Sequence, residues 1–248
     1  MTDEDLAAHL AREAGRILLA VRASDRHHGP ALGRAGDAEA NALLVAALRE
    51  LRPADGLLSE EERDDPARLQ RERVWIVDPL DGTREYAEGR DDWAVHVGLA
   101  IGGVASVGAV ALPALGLLLR SDAPLSRPPA PGRLRMVVSR TRPPREALAV
   151  AEALGADLVP MGSAGAKAMA VVRSEADIYL HAGGQHEWDS CAPVAVALGH
   201  GLHCSRLDGE PLAYNQPSPG LPDLLICAPE LAVRVLDVLR ACGRAAKA

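Results

Sequence analysis

The sequence predicts an α+β fold made of two unlike halves. Apolar residues at helical spacing dominate the first 51 positions, and a glycine-punctuated apolar stretch over 93–119 is typical of antiparallel strands. After residue 134, short apolar runs alternate with amphipathic segments, as in an alternating α/β unit. At 248 residues and 48% hydrophobic, the chain is long enough to bury a core without disulfides.

The first half begins with two predicted helices. Apolar residues recur at helical spacing between Leu6 and Val21. A loop is predicted over 23–36, and Asp37 then stands as the N-cap of a second helix that ends at Leu51. The charged segment 61–73 is predicted to lie on the surface.

Strands follow in the first half. Residues 74–77 (VWIV) form a short buried strand that runs directly into Asp78. The uncharged stretch 97–119 is long enough to cross a bilayer. Because Gly102-Gly103 and Pro113 interrupt it, three strands joined by tight turns are predicted instead of a membrane helix.

A proline-rich segment, 122–133, is the predicted linker between subdomains 1–121 and 134–248, which are expected to form one compact unit. The second half then alternates in type. The predicted strands cover 134–138, 157–159, 177–180 and 224–227, and the predicted helices cover 143–154, 163–172, 190–198 and 229–239.

Charge and composition exclude several classes of protein. A net charge of −7 and 2% aromatic residues argue against nucleic-acid binding. The acidic first residues do not resemble a signal peptide. The four cysteines lack zinc spacing, which predicts reduced thiols and a cytoplasmic location.

The densest chemical signal is DPLDGT, residues 78–83. Pro79 pushes Asp78 into an extended conformation, and Asp81 follows three residues later at the end of a buried strand. Two carboxylates so placed, with the Leu80 carbonyl between them, are hard ligands suited to Mg²⁺ or Mn²⁺. Gly82 and Thr83 then predict a turn into a short helix whose N–H groups can hold phosphate. The alternative is a turn in which the aspartates only cap.

Two further acidic clusters follow apolar or aromatic residues. Glu60 comes directly after a predicted strand end, although a glutamate run by itself is usually a solvated face. Asp189 follows Trp188 and precedes an alanine-rich helix, where an N-cap is the alternative role.

These three motifs, in this order, resemble the inositol monophosphatase superfamily of lithium-sensitive, magnesium-dependent phosphatases. The match extends from Asp37 to Ala228. The strings REYAEGRDDWAVHVGLA and HEWDSCAPVAVALGHGLHCSRLDGEPLAYN are similar to its CysQ-type branch, the 3′-phosphoadenosine 5′-phosphate phosphatases. The resemblance implies a layered α-β-α-β-α sandwich with a mostly antiparallel first sheet. The chain departs from the family pattern at Gly201-Leu202, where relatives have two glycines.

The resemblance also implies two or three Mg²⁺ ions, with Mn²⁺ as a substitute and Li⁺ as an inhibitor. It assigns the metal ligands to Glu60, Asp78, the Leu80 carbonyl, Asp81 and Asp189. Asp37 and Thr83 would orient the attacking water, with Glu60 in the same catalytic group. Gly82 and Thr83 would hold the phosphate through N–H groups, with Asp81 and Asp189 also facing the substrate.

Four residues are candidates for substrate specificity. Ser163 and Lys167 resemble a family helix near the remote end of the substrate; the alternative is a helix start with an exposed lysine. Ser139 and Arg140 follow a predicted strand and could meet a 5′-phosphate; the alternative is a solvated loop.

The partner implied is a small phosphorylated metabolite, with no nucleic acid and no membrane. The leading substrate is 3′-phosphoadenosine 5′-phosphate. The alternatives are inositol phosphates or sugar phosphates such as fructose 1,6-bisphosphate, and a catalytically silent metabolite-binding relative. Because relatives are often dimers, a homodimer is also open.

Overall fold

The computed structural model describes residues 1–126 and 132–245. Part of the predicted linker, 127–131, and the last three residues of the predicted second subdomain lie outside the described residues. The helices are α1 (Asp3–Ala23), α2 (Pro30–Leu51), α3 (Thr83–Ala87), α4 (Arg145–Leu154), α5 (Ala164–Val172), α6 (Glu187–Gly199) and α7 (Pro229–Ala245). The strands are β1 (Gly56–Ser59), β2 (Arg73–Asp81), β3 (Ala94–Ile101), β4 (Val104–Leu112), β5 (Leu117–Arg120), β6 (Arg135–Ser139), β7 (Asp157–Met161), β8 (Ile178–His186), β9 (His203–Ser205) and β10 (Gly220–Cys227).

The first sheet has the strand order β1-β2-β3-β4-β5. Only β1 and β2 pair in parallel, which confirms the mostly antiparallel first sheet. The uncharged stretch 97–119 forms β3, β4 and β5, as predicted. Within the described ranges, none of the helices combines the length and apolar composition that crossing a bilayer requires.

The second sheet has the order β7-β6-β8-β10-β9. β6 pairs in parallel with β7 and β8, whereas β10 pairs antiparallel with β8 and β9. The short strand β9 was not predicted, because three residues carry too little pattern to be recognised.

Three apolar cores stack the molecule into five layers. α1 and α2 pack on one face of the first sheet. α5 and α6 fill the space between the two sheets, and α4 and α7 cover the outer face of the second sheet. The layered α-β-α-β-α sandwich is therefore confirmed.

Helix α6 lies unusually close to the first sheet. A Cβ added at Gly108 would stand 2.4 Å from the Ala192 carbonyl oxygen, and one at Gly98 would stand 2.8 Å from the Ala192 nitrogen. Any side chain at these two positions would push α6 away. The glycines therefore fix the depth at which the N-terminal turn of α6 meets the end of β2.

The prediction for the start of the second helix was wrong. α2 begins at Pro30 with Gly29 at its N-cap, so the N-cap lies eight residues earlier than predicted. Proline suits this first position because the first N–H groups of a helix have no intrahelical partner. Asp37 is therefore not an N-cap but a buried residue in the helix interior, 7% exposed.

Other boundaries also differ from the predictions: β8 extends to His186, β10 begins at Gly220 and α7 extends to Ala245. α6 begins at Glu187 instead of residue 190, so Asp189 lies in its first turn. The segment 61–73 is not wholly on the surface: it contains a 3-10 helix over Pro66–Gln70, in which Arg68 is buried.

Candidate metal centre

Three aspartates converge where the two halves of the molecule meet. Asp78 and Asp81 lie at the end of β2, and Asp189 lies in the first turn of α6. Each offers one carboxylate oxygen, and these three oxygens lie within 4.8 Å of one another. Asp78 and Asp81 are almost fully buried, and Asp189 is half-buried.

A bulge at the end of β2 explains how Asp78 and Asp81 come together. Residues three apart on a regular strand face opposite sides of the sheet. Here Asp78 pairs with His96 and Asp81 with Ala94, so β2 carries one extra residue in this interval. The extra residue turns both carboxylates towards the same space. Gly82, at φ +88°, then leads the chain into α3.

The Asp81 carboxylate is held by donors at the beginning of α5. It accepts hydrogen bonds from Ser163 Oγ at 2.5 Å, from Gly165 N at 2.6 Å and from Ala164 N at 3.2 Å. Burial would raise the pKa of Asp81, but hydrogen bonds and the charge of His96 lower it to about 2. Asp81 is therefore a fixed negative charge.

His96 is a member of the site that the sequence did not reveal. Its ring is fully buried, with Nδ1 3.0 Å from the Trp188 carbonyl oxygen and Nε2 3.3 Å from Asp81 Oδ2. A carbonyl oxygen only accepts, so Nδ1 carries a hydrogen. Burial opposes charge on the ring, yet the contacts with Asp81 raise the pKa of His96. The only signal was a lone polar residue between Val95 and Val97 in an apolar strand.

Asp78 and Asp189 have few donors. Asp78 Oδ1 accepts from Leu80 N at 3.0 Å, and Asp189 Oδ2 accepts from His186 N at 2.6 Å. Burial and neighbouring negative charges raise the pKa of Asp78, and they raise the pKa of Asp189 to about 7. Carboxylates crowded in this way lack positive charge, which a bound cation would supply.

Glu60 lies at the rim of this cluster. β1 and β2 are parallel, so the residues that follow them meet at one edge of the sheet. The Glu60 N–H donates to the Val77 carbonyl at 3.3 Å, which ties the residue to β2. Burial is the largest cause that raises the pKa of the Glu60 carboxyl, and its interaction with Asp78 opposes this shift.

Asp37 and Thr83, paired in the sequence analysis, are in contact. Thr83 Oγ1 lies 3.3 Å from Asp37 Oδ2 and 3.1 Å from the Leu80 carbonyl oxygen, and it can donate to either. Asp37 Oδ1 is buried without a hydrogen-bond partner among the described residues. Burial, with the charges of Glu61 and Glu60, raises the pKa of Asp37 to about 8.

Ser163 and Lys167 are both buried. Besides its bond to Asp81, the Ser163 hydroxyl accepts from Ala166 N at 2.9 Å. Lys167 Nζ donates to the carbonyls of Gly162 and Ser163. The alternative of an exposed lysine was therefore wrong, and Lys167 is 4% exposed. The role of both residues in substrate binding stays a prediction.

Ser139 and Arg140 line a cavity of about 270 Å³ that begins at Gly82 and Thr83. Arg140 Nε donates a hydrogen bond to Glu85, and Arg140 Nη2 donates one to Glu88, both at 2.7 Å. Two carboxylates thus neutralise Arg140, which weakens its case as a phosphate ligand.

The donor set fits a small divalent cation. Carboxylate and carbonyl oxygens dominate, as Mg²⁺ and Mn²⁺ prefer. Within residues 1–126 and 132–245, Asp78 and Asp189 are short of donors and the buried Asp37 Oδ1 has no hydrogen-bond partner. Which ion binds, and how many, stays a prediction.

Solved structures that share this fold include inositol monophosphatases and a CysQ protein. The inositol monophosphatase from Anabaena superposes with a TM-score of 0.75 at 22% identity, covering 96% of this chain and 94% of that one. CysQ from Bacteroides thetaiotaomicron superposes with a TM-score of 0.78 at 24% identity, covering 90% of this chain and 96% of that one.

The chain belongs to the inositol monophosphatase family, whose model matches residues 5–241. The 3′-phosphoadenosine 5′-phosphate phosphatase of Mycobacterium leprae is 51% identical over 97% of this chain and 94% of its own length. The protein of that name from Mycobacterium tuberculosis is 52% identical over 92% and 89%. The 3′(2′),5′-bisphosphate nucleotidase CysQ of Escherichia coli is 28% identical over 85% and 93%.

Proposed function

We propose that this chain is a metal-dependent phosphatase that hydrolyses 3′-phosphoadenosine 5′-phosphate at its 3′-phosphate, releasing AMP and phosphate. The observation that carries the proposal is the buried cluster of Asp78, Asp81 and Asp189 in a chain 51% identical to a phosphatase of that name. The predicted homodimer and cytoplasmic location stay predictions.

The carboxylates divide into two sets that would hold cations. Asp78, Asp81 and Asp189 would hold one, and Glu60, Asp78 and the Leu80 carbonyl would hold another. A divalent cation such as Mg²⁺, when bound, supplies the positive charge that a phosphate dianion requires and lowers the pKa of a water molecule. The N–H groups of Gly82 and Thr83, at the beginning of α3, have no intrahelical partner and would bind a phosphate oxygen.

Asp37 and Thr83 would orient the attacking water. Asp37 Oδ1 has no partner in the part of the chain that the structure describes, and when ionised it can accept a hydrogen bond, and a proton, from water. Thr83 Oγ1 lies between Asp37 and the Leu80 carbonyl. A water molecule bound to Thr83 and Asp37 would therefore lie next to the carboxylates at the end of β2. No side chain needs to form a covalent intermediate.

Removing the Thr83 hydroxyl should lower kcat and leave KM nearly unchanged. Thr83→Val keeps the shape of the side chain but cannot orient water, so we expect kcat to fall roughly 100-fold or more. Thr83→Ser, which keeps the hydroxyl, should restore most of the turnover. Steady-state kinetics at saturating Mg²⁺ measure both, and equal kcat values for the valine and serine variants would contradict the role.

Asp37→Asn tests, without substrate, whether burial raises the pKa of the Asp37 carboxyl. The folded-state pKa of Asp37 lies near 8, above the usual 3.8, so ionised Asp37 destabilises the fold increasingly from pH 4 to pH 8. In the metal-free protein we therefore expect Asp37→Asn to be more stable than the wild type at pH 8 and equally stable near pH 4. Urea unfolding at the two pH values measures the difference, and a pH-independent difference would contradict it.

The cavity beside α3 would accommodate a second phosphate of the substrate. Arg84 and Arg142 line it, and neither has an ion-pair partner among residues 1–126 and 132–245. Arg140 is already neutralised by Glu85 and Glu88. Arg142, with Arg84, is therefore a better ligand for a 5′-phosphate than Arg140.

Phosphate release from three substrates tests the proposed function. We expect Mg²⁺-dependent turnover with kcat/KM highest for 3′-phosphoadenosine 5′-phosphate, compared with inositol 1-phosphate and fructose 1,6-bisphosphate. Equal or better turnover of inositol 1-phosphate would overturn the proposed substrate and keep the metal site. No turnover of any of the three would overturn the enzymatic proposal.

Arg142→Ala tests whether the 5′-phosphate of the substrate is bound separately from the phosphate that is cleaved. We expect KM to rise roughly tenfold for 3′-phosphoadenosine 5′-phosphate, because a charge-assisted contact is worth about 1.5–3 kcal/mol. For inositol 1-phosphate, which has a single phosphate, KM should not change. Arg145→Ala, on the neighbouring first turn of α4, is the matched charge control.

A further inference from the structure

Three residues join the first turn of α6 to the N-terminal half of the molecule. Glu187 opens α6, two positions before Asp189. Asn215 lies in the segment between β9 and β10, and Arg68 lies in the 3-10 helix between β1 and β2. None of the three was among the residues that the sequence predicted for the site.

Glu187 is a buried carboxylate with dedicated donors. It is 1% exposed, and its two oxygens accept from Asn215 N and Gln216 N, both at 2.7 Å. Its own N–H donates to the Pro219 carbonyl at 2.8 Å. The segment from Asn215 to Pro219 therefore grips the N-terminal residue of α6 on both sides.

Arg68 grips the same segment from the other half. Its guanidinium, 1% exposed, donates to Asn215 Oδ1 at 2.8 Å and to the Gln216 carbonyl at 3.0 Å. Asp64 holds the remaining donors at 2.6 and 2.9 Å. Asn215 Nδ2 donates back to the Arg68 carbonyl at 3.1 Å. Arg68 and Asn215 thus each donate a hydrogen bond to the other, which fixes both the separation and the relative orientation of the two residues.

We infer that Arg68, Asn215 and Glu187 are positioning residues that hold the first turn of α6, and with it Asp189, in register with the carboxylates at the end of β2. The inference rests on the proposed metal site. Asp189 is the one aspartate of the cluster supplied by the second half, so its distance from Asp78 and Asp81 depends on how α6 is seated. Partners that orient metal ligands affect metal affinity as well as stability.

The network has features that a purely structural ion pair does not need. Asn215 adopts φ +58°, a left-handed conformation that asparagine tolerates better than most residues. The neighbouring Tyr214 is also buried, and its hydroxyl lies 3.2 Å from Ser190 Oγ, next to Asp189 in the chain. The same segment therefore contacts α6 on both sides of the metal-ligand position.

Direct binding of Mn²⁺ to the metal-free protein, measured by calorimetry, tests the inference. Asn215→Gly removes the side chain and keeps the left-handed backbone, and Glu187→Gln removes one acceptor oxygen. We expect each to weaken Mn²⁺ binding roughly tenfold or more. Asn215→Asp, which keeps the oxygen that faces Arg68, should recover part of the loss. The double variant Asn215→Gly, Glu187→Gln should bind little worse than the weaker single variant, because both act through one network.

Arg73→Gln is the matched control. Arg73 forms ion pairs with Asp55 and Asp3, but it lies at the opposite end of β2 from Asp78. We expect this variant to lose thermal stability and to keep the Mn²⁺ affinity of the wild type.

The outcomes separate the inference from the proposed function. Folded variants whose stability falls while the Kd for Mn²⁺ stays within twofold of the wild type would show that the network is structural only, and would overturn the inference. If a variant fails to fold, Asn215→Asp and Arg68→Lys give the same comparison with milder changes. A wild-type protein that binds no Mn²⁺ would overturn the metal site itself, and the inference with it.

Discussion

Asp78→Asn is expected to abolish turnover while making the metal-free protein more stable. Asp78 is buried beside Asp81, Asp189 and Glu60, and it has one donor, Leu80 N. Asparagine keeps the oxygen that accepts this bond, and its amide can donate to a neighbouring carboxylate. Relief of the repulsion should add about 2 kcal/mol, a rise in Tm of roughly 4–8 °C for a chain of this size.

Turnover should fall by about three orders of magnitude or more, because Asp78 belongs to both sets of carboxylates that would hold cations. Phosphate release and thermal unfolding of the same preparation measure the two effects. Asp55→Asn is the matched control: Asp55 accepts from Arg73 and Trp75, far from the site, so this variant should lose stability and keep turnover. An active Asp78→Asn enzyme at saturating Mg²⁺ would refute the site.

Removing divalent cations is the second change with a large expected effect. A chelator should bring turnover to the limit of detection, because the described carboxylate cluster has too few protein donors to accept a phosphate dianion beside it. Adding Mg²⁺ to the chelated protein should restore turnover. It should also raise Tm, since a ligand at 100 times its Kd stabilises a protein by about 2.7 kcal/mol. That corresponds to roughly 5–11 °C.

The two readouts need two controls. NaCl at matched ionic strength separates specific binding from the screening of surface charge. Asp78→Asn should show little further rise in Tm with Mg²⁺, because it lacks the shared ligand. Full activity in the chelator, or equal Tm shifts with NaCl and Mg²⁺, would argue against a metal-dependent site.

The sequence predicted which carboxylates converge most directly where they lie next to one another in the chain, and their role as metal ligands stays a prediction. DPLDGT at the end of an apolar strand carries Asp78, Asp81 and Thr83 within six residues, so local pattern was enough. Glu60 and Asp189 came from the order of motifs and from the family resemblance. The five-layer fold followed from the same resemblance, supported by the change from glycine-punctuated strands to alternating strands and helices.

Contacts between distant residues that belong to no recognised motif were not predictable from the sequence. His96 and Asp81 meet because β2 carries a bulge opposite β3, which no local pattern shows. Arg68 lies 147 positions from Asn215, within a segment whose charges predict a solvated surface. Asp37 was assigned as a cap because the glycines and histidines of residues 23–36 suggested a loop, although Pro30 in that segment is favoured in the first turn of a helix.

The donors of Asp81 have a consequence for how the chain acquires activity. Asp81 is translated early, yet it is held by Gly165, 84 positions later. A nascent chain that ends before α5 lacks the donors of Ser163, Ala164 and Gly165 and keeps only His96 beside the Asp81 carboxylate, so burying that carboxylate costs free energy. We therefore expect the first sheet to be less stable without the second half of the chain. The two halves should melt in a single calorimetric transition, and ribosome-bound fragments shorter than about this length should be sensitive to protease.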